Sequence, residues 1–213
     1  MTLVLGPLYP ILDLRICDAA GGGTADALVQ RAVLLASVGV PLMQLRAKNV
    51  DASVVVELAR AILAQVSQFD CRLLINDRVD VAAICGAHGV HLGDSDLPPK
   101  VARDILGPLA IIGYSTHSSS EAACAPPEAD YLGFGPVAES PTKAGVRSAR
   151  GMEALAMAAK STTRPVVAIG GATADLAGSM FAAGAASIAV ISELERSDNP
   201  AALVQAYTKA MRS

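Results

Sequence analysis

Arg72-Leu-Leu-Ile-Asn76, then Arg78-Val-Asp-Val-Ala-Ala-Ile84, then His88-Gly-Val-His91 follow one another near the middle of the chain. Arg72–Asn76 holds an almost unbroken apolar run, which suits a parallel strand covered on both faces. The middle stretch reads as a short helix and the third as a second strand, so the three make one strand-helix-strand unit. Working outward in both directions, the same alternation recurs. Strands are expected at Leu8–Leu12, Leu42–Arg46, Arg72–Asn76, His88–His91, Ala110–Ser115, Tyr131–Gly135, Pro165–Ile169 and Ser187–Ile191. Helices are expected over about 24–38, 52–66, 78–84, 98–106, 118–125, 149–160, 173–182 and 200–211. In 52–66, Val55, Leu58, Ala59, Ile62 and Val66 recur at spacings of three and four, which gives one apolar helix face.

Turn chemistry marks the joints. Gly21-Gly22-Gly23 precedes Thr24, a natural helix N-cap, and Asp51 and Ser118 are further cap candidates. Gly39 and Gly184 close helical patterns, where glycine adopts the left-handed C-cap conformation. No low-complexity linker, composition shift or internal repeat divides the chain, so residues 1–213 are expected to form one α/β domain. Eight strand-helix pairs leave two closures, a doubly wound open sheet or a closed barrel. The count favours a single (β/α)8 TIM barrel, close to that fold's lower size of about 200 residues.

Composition narrows the function classes. With 52% hydrophobic residues the chain has enough apolar surface to fold. Its longest apolar runs, such as Ala32–Ala36 and Ile188–Ile191, fall far short of the roughly 20 residues a membrane span needs. No basic stretch precedes an apolar one near Met1, so a secretory leader is not expected. Seventeen basic against 20 acidic residues, no Trp, four Tyr and three Phe argue against nucleic acid as a partner. The four cysteines, Cys17, Cys71, Cys85 and Cys124, form no Cys-x-x-Cys pair and neighbour no histidine at zinc spacing. They are expected as buried free thiols in a reducing cytoplasm.

In a barrel of this kind the chemistry sits at the C-terminal ends of the strands. Seven of the eight expected strands end in polar or glycine clusters. Gln44, Arg46 and Lys48 alternate as strand 2 runs out. Asn76 and Asp77 end strand 3, Asp94 and Asp96 follow strand 4, and Ser115 and His117 end strand 5. Strand 6 runs into Gly135 to Lys143, strand 7 into Gly170-Gly171 and strand 8 into Ser192. Cations beside carboxylates on one rim suggest a phosphorylated ligand bridged by a divalent ion, since Mg²⁺ takes one or two carboxylates together with phosphate oxygens and water. Gly170-Gly171 and Ser192 suggest a second phosphate site after strands 7 and 8. Asp77 and Asp96 also flank helix starts, where Asp is favoured as a cap. His88 and His91 lie three apart on a strand and face opposite sides, so they do not share a metal. His117 is expected to make a structural hydrogen bond, and Tyr131 to lie in the core.

These residues resemble the thiamine phosphate synthase family. The resemblance rests on Gln44-x-Arg46-x-Lys48, Asn76-Asp77-Arg78-Val79-Asp80, Gly89-Val90-His91-Leu92-Gly93 with Asp96, and Gly113-x-Ser115-x-His117 with Glu121-Ala122. Asp130-Tyr131-x-Gly133-x-Gly135-Pro136-Val137, Thr142-Lys143 and Ala168-Ile169-Gly170-Gly171 complete it, in order from about Tyr9 to Ser192. It implies a cytoplasmic TIM-barrel transferase using Mg²⁺. Such an enzyme joins 4-amino-2-methyl-5-pyrimidinylmethyl diphosphate to a thiazole phosphate, giving thiamine phosphate and pyrophosphate.

The resemblance makes Arg46, Lys48, Ser115 and Lys143 catalytic. Together with Gln44 and Asn76 they would hold the pyrimidine diphosphate. Ser140, Thr142, Gly171, Ile191 and Ser192 would hold the thiazole phosphate, and Asp77 and Asp96 the Mg²⁺. A homo-oligomer is compatible with the chain. Ala138-Glu139-Ser140 departs from the family's aromatic-Pro-Thr, although Ser140 keeps the hydroxyl; Ala47 and Ala172 replace common Glu and Ile. Two rivals remain, a thiazole tautomerase paralogue and a non-catalytic binder of thiamine precursors. Pro136 stands where the paralogue carries a His and the Gln44-x-Arg46-x-Lys48 set is intact, which favours the synthase over the paralogue; the joint presence of Asp77, Asp96 and Lys143 speaks against the binder.

Overall fold

A computed structural model describes residues 3–14, 25–139 and 148–213. Strands β1 (Leu8–Asp13), β2 (Leu42–Arg46), β3 (Arg72–Asn76), β4 (Gly89–Leu92), β5 (Ile111–Thr116), β6 (Tyr131–Phe134), β7 (Val166–Ile169) and β8 (Ser187–Val190) are all parallel. They pair in chain order, and β8 returns to β1, so the sheet closes into a barrel. The closed (β/α)8 TIM barrel therefore holds, and the open sheet does not.

Nine helices lie among the described residues. They are α1 (Ala25–Ser37), α2 (Ala52–Val66), α3 (Val79–Cys85), α4 (Pro99–Leu106), α5 (Ser119–Ala123), α6 (Gly151–Lys160), α7 (Ala174–Ala182), α8 (Ser192–Arg196) and α9 (Pro200–Arg212). The sequence pattern misses α8, a five-residue helix that begins two residues after β8 ends. It also ends β1 at Leu12, whereas the strand continues to Asp13.

Successive strand residues point to opposite faces, which divides the apolar residues into two cores. The outer core lies between strands and helices and takes Leu12, Leu45, Ile75, Val90 and Ile112 with Leu28, Ile62 and Val81. The inner core holds Tyr9, Ile11, Leu42, Leu74, Ile111, Tyr131, Val167 and Ala189. Residues of the inner set continue along their strands into the polar groups at the upper rim: Tyr9 and Ile11 lead to Asp13, Leu42 to Gln44 and Arg46, Ile111 to Ser115.

Local chemistry holds the joints. The Ser118 hydroxyl accepts the Glu121 N–H at the start of α5, and Gly39 and Gly184 take positive φ at helix ends. Asp51 stands at the N-cap of α2 but makes no side-chain cap bond, so that expectation is corrected. Gly21–Gly23, Thr24 and Cys17 lie outside the described residues. Cys71 and Cys85 are buried free thiols, whereas Cys124 is exposed and departs from the expectation of burial. Burial pushes the Cys71 thiol up to about 12, so it stays protonated. Among the described residues no helix is long and apolar enough to cross a membrane.

One glycine permits a close approach between β4 and β5. A Cβ on Gly89 would fall 1.9 Å from the Ile111 carbonyl oxygen. Gly89→Ala must therefore push the two strands apart at their paired ends. It is expected to lower stability by about 3 kcal/mol or more, above the usual range for overpacking because the obstacle is backbone. Urea unfolding followed by circular dichroism checks this; a midpoint within error of the parent would contradict the packing argument.

Candidate active site

The rim above the C-terminal strand ends is built from ion pairs. Asp13 and Arg46 are register partners on β1 and β2, and the Arg46 guanidinium donates to the Asp13 carboxylate. Asp13 is 1% exposed, and a carboxylate so buried needs its paired cation. The pair also holds Arg46 against the barrel wall. Sequence reasoning missed Asp13. The available signal was its alternation with Tyr9 and Ile11, which turns it inward beside Arg46.

Lys48, just beyond β2, forms an ion pair with Asp77 at 3.1 Å. Asp77 has φ of 64°, a left-handed backbone that Asp tolerates better than most residues. Its N–H donates to the His91 carbonyl at 2.9 Å, which ties the β3 turn to β4. Asp96 accepts the Gly93 N–H at 2.7 Å and lies beside the Asp77 carboxyl. Burial holds the Asp96 pKa above the usual carboxylate range, and the Asp77 charge adds to this, while the Gly93 bond and Lys48 oppose it. Two facing carboxylates of this kind fit a hard divalent cation such as Mg²⁺, which accepts one or two protein carboxylates and takes its other ligands from phosphate and water. Among the described residues no group of three or more His, Cys, Asp or Glu could hold a metal, which sets this pair apart from an all-protein metal cage.

The interior below the rim is hydrogen-bonded. Gln44 is buried, and its amide nitrogen donates to the Tyr9 hydroxyl at 3.0 Å. Ser115 Oγ lies 2.9 Å from His91 Nε2. Asn76 is half-buried at the end of β3, in register with His91. Gln44, Arg46, Lys48, Asn76, Asp77, Asp96 and Ser115 thus come from β2, β3, β4 and β5 or the segments that follow them to one mouth. Lys143, Ser140 and Thr142 lie outside the described residues.

On the strand 7 and 8 side the two glycines also serve packing. Gly170 and Gly171 both take positive φ, at 92° and 64°. A Cβ on Gly170 would lie 2.6 Å from Pro136, and one on Gly171 2.5 Å from the Glu139 carbonyl. Val137 N–H donates to Ile169 and Ala138 N–H to Gly170. These glycines let the loop after β6 lie flat along the end of β7, a role that the phosphate-site reading did not include. Ile191 packs against the inner core, and Ser192 opens α8 beside it. His117 Nδ1–H donates to the Gly135 carbonyl at 2.6 Å, which is the structural bond expected of it. His88 Nδ1 accepts the Leu73 N–H at 3.1 Å and takes no part in the rim.

Known proteins share the sequence and the fold of this chain. Residues 8–194 match the family described as thiamine monophosphate synthase. The chain belongs to that family. A thiamine-phosphate synthase of Laribacter hongkongensis is 38% identical over 198 residues, covering 93% of this chain and 92% of the relative. A putative thiamine-phosphate synthase of Geobacter sulfurreducens is 41% identical over 194 residues, 91% of this chain and 88% of the relative. The solved thiamine phosphate pyrophosphorylase of Pyrococcus furiosus superposes with a TM-score of 0.80 at 32% identity, covering 96% and 95% of the two chains. Within this barrel, the Asp13–Arg46 pair gives a direct check. Asp13→Ala leaves the guanidinium without its buried partner and is expected to lower stability by roughly 3–5 kcal/mol. Urea denaturation measures the loss; a change below about 1 kcal/mol would mean that solvent replaces the carboxylate, contrary to the burial seen here.

Proposed function

We propose that the chain is a thiamine phosphate synthase. It would join 4-amino-2-methyl-5-pyrimidinylmethyl diphosphate to 4-methyl-5-(2-phosphoethyl)thiazole, releasing pyrophosphate. One observation carries the reading: cations from β2, two adjacent carboxylates after β3 and β4, and a hydroxyl from β5 share one barrel mouth. That set suits a diphosphate leaving group and has no evident use in a simple isomerisation. Pro136, in place of the paralogue's His, also speaks against the tautomerase.

In the proposed reaction the C–O bond to the diphosphate breaks and its electron pair leaves with the diphosphate. The aminopyrimidine ring delocalises the positive charge left on the methylene carbon. The thiazole nitrogen lone pair then forms the new C–N bond. No protein nucleophile enters. Arg46, Lys48 and Lys143 stabilise the charge growing on the leaving group, and Ser115 donates a hydrogen bond to it. Gln44 and Asn76 orient the pyrimidine diphosphate. Asp77 and Asp96 would hold Mg²⁺, which when bound supplies further positive charge at the diphosphate. Ser140, Thr142, Gly171, Ile191 and Ser192 are proposed to hold the thiazole phosphate. Alignment of the two substrates contributes up to about 10 kcal/mol. We further propose that residues 1–213 act as one domain, and that the enzyme works in the cytoplasm, where the buried thiols of Cys71 and Cys85 stay reduced.

Mixing both substrates, Mg²⁺ and the purified protein is expected to yield thiamine phosphate and pyrophosphate, detected by chromatography. No product under any metal condition would reject the assignment. Lys143→Ala is expected to reduce turnover by about 100-fold or more, as loss of one charge-stabilising donor does; a near-normal rate would remove Lys143 from the leaving-group site. Asp77→Ala is expected to shift the Mg²⁺ activation curve to about tenfold or more higher concentration, as loss of one of only two carboxylates should. An unchanged curve would contradict metal ligation by Asp77.

A further inference from the structure

Below the rim, five side chains from five different strands form a continuous hydrogen-bonded line. Gln44 on β2 bonds Tyr9 on β1 at 3.0 Å, and Tyr9 OH lies 2.9 Å from Tyr131 OH on β6. Tyr131 OH lies 2.9 Å from His91 Nδ1 on β4, and His91 Nε2 lies 2.9 Å from Ser115 Oγ on β5. The line crosses the barrel interior and ends at Ser115, near the C-terminal end of β5. We infer that this line runs in one direction and that His91, acting through it as a positioning residue, holds Ser115 as a hydrogen-bond donor to the anionic substrate.

The direction follows from counting protons. The Gln44 amide nitrogen can only donate, so the Tyr9 oxygen accepts. Among the described residues the remaining partner of Tyr9 is Tyr131, so the Tyr9 proton goes there. Tyr131 then has His91 Nδ1 for its own proton. An imidazole ring always carries at least one proton, on Nδ1 or on Nε2. With Nδ1 accepting, that proton sits on Nε2 and is donated to Ser115 Oγ. The Ser115 hydroxyl hydrogen is thereby left to point toward the mouth. A phosphate ester at neutral pH offers acceptors, so a serine held this way fits it. The opposite order, starting from Ser115 and ending on the Gln44 carbonyl, would present serine lone pairs to a polyanion.

The fold makes room for this line at a particular place. His91, Gly113 and Tyr131 are register neighbours across β4, β5 and β6. A Cβ on Gly113 would lie 2.2 Å from Tyr131 Cζ and 2.4 Å from His91 Nδ1. Gly113 has no unusual φ, so space is the reason for glycine there. Gly133 does the same on the other side, where a Cβ would meet His91 Cε1 at 3.0 Å. Two missing side chains let His91 and Tyr131 meet over β5.

The role of Ser115 toward a diphosphate rests on the proposed function, but the direction of the line can be read without substrate. The ligand-free protein, labelled with ¹⁵N, contains three histidines, and His91→Asn identifies the signals of His91. Long-range ¹H–¹⁵N correlation at neutral pH is expected to show Nδ1 as the unprotonated nitrogen and Nε2 as the protonated one. A protonated Nδ1, or averaged shifts on both nitrogens, would overturn the inference. The second arm is a double-mutant cycle on turnover. Tyr131→Phe is expected to lower kcat about tenfold in the parent and less than twofold in Ser115→Ala, with the KM for thiazole phosphate unchanged in both. Equal losses in the two backgrounds would show that Tyr131 acts through general structure and would also overturn it. Circular dichroism monitors folding, and Tyr9→Phe, which breaks the line one link further away, serves if Tyr131→Phe does not fold. Absence of thiamine phosphate with the parent protein would reject the proposed function and leave the tautomer result standing.

Discussion

An eight-stranded parallel barrel leaves an interior only wide enough for its inward side chains to fill. Every strand therefore makes two kinds of commitment at alternate positions. Leu73 and Ile75 must be apolar for the helices, while Leu74 between them must be apolar for the inside. The inner set is small, and near its middle two tyrosines and a histidine take the place of aliphatic side chains. Tyr9 and Tyr131 meet edge to face with ring centroids 5.9 Å apart, and Tyr131 and His91 fill the volume that Gly113 and Gly133 leave open. Because a buried hydroxyl must be hydrogen-bonded, choosing tyrosine as filler obliges the interior to carry a polar line as well.

The same constraint explains the rim. Inward positions continue upward past the apolar layer, and there solvent and ligand can reach them. Asp13, Arg46 and Ser115 are simply the next inward residues on their strands. The turns then set the finer geometry. Asp77 stands beside Lys48 and Asp96 because its backbone turns left-handed and its N–H is tied to β4. Charges of both signs are kept together, so Lys48 and Arg46 are each already paired with a carboxylate before any diphosphate arrives. An incoming polyanion must compete for these cations, and a divalent ion on Asp77 and Asp96 would release Lys48 from its pairing.

On the opposite side, Gly170 and Gly171 bear on the site through the backbone. Their positive φ and lack of side chains let residues 136–139 lie against the end of β7, where Val137 N–H donates to the Ile169 carbonyl and Ala138 N–H to the Gly170 carbonyl. Residues 137 and 138, ahead of Lys143 in the sequence, are thus hydrogen-bonded to the end of β7. Glu139, the departure from the family pattern, is exposed at that point.

Much of this was legible in the chain itself. Strand and helix order, the closed barrel and the polarity of the strand ends all follow from periods of two and about 3.6 and from the count of eight, because burial on two faces writes itself directly into sequence. Gln44, Arg46, Lys48, Asp77, Asp96 and Ser115 could be picked out for the same reason: polar residues that interrupt an apolar period at one end of a strand. Partners could not. That Arg46 pairs with Asp13, that Gly170 and Gly171 support a loop, and that Tyr9, Tyr131 and His91 join Gln44 to Ser115 depend on the stagger between strands and on which side chains are absent. Those relations lie between residues as far as 122 positions apart, and no local pattern along the chain encodes them.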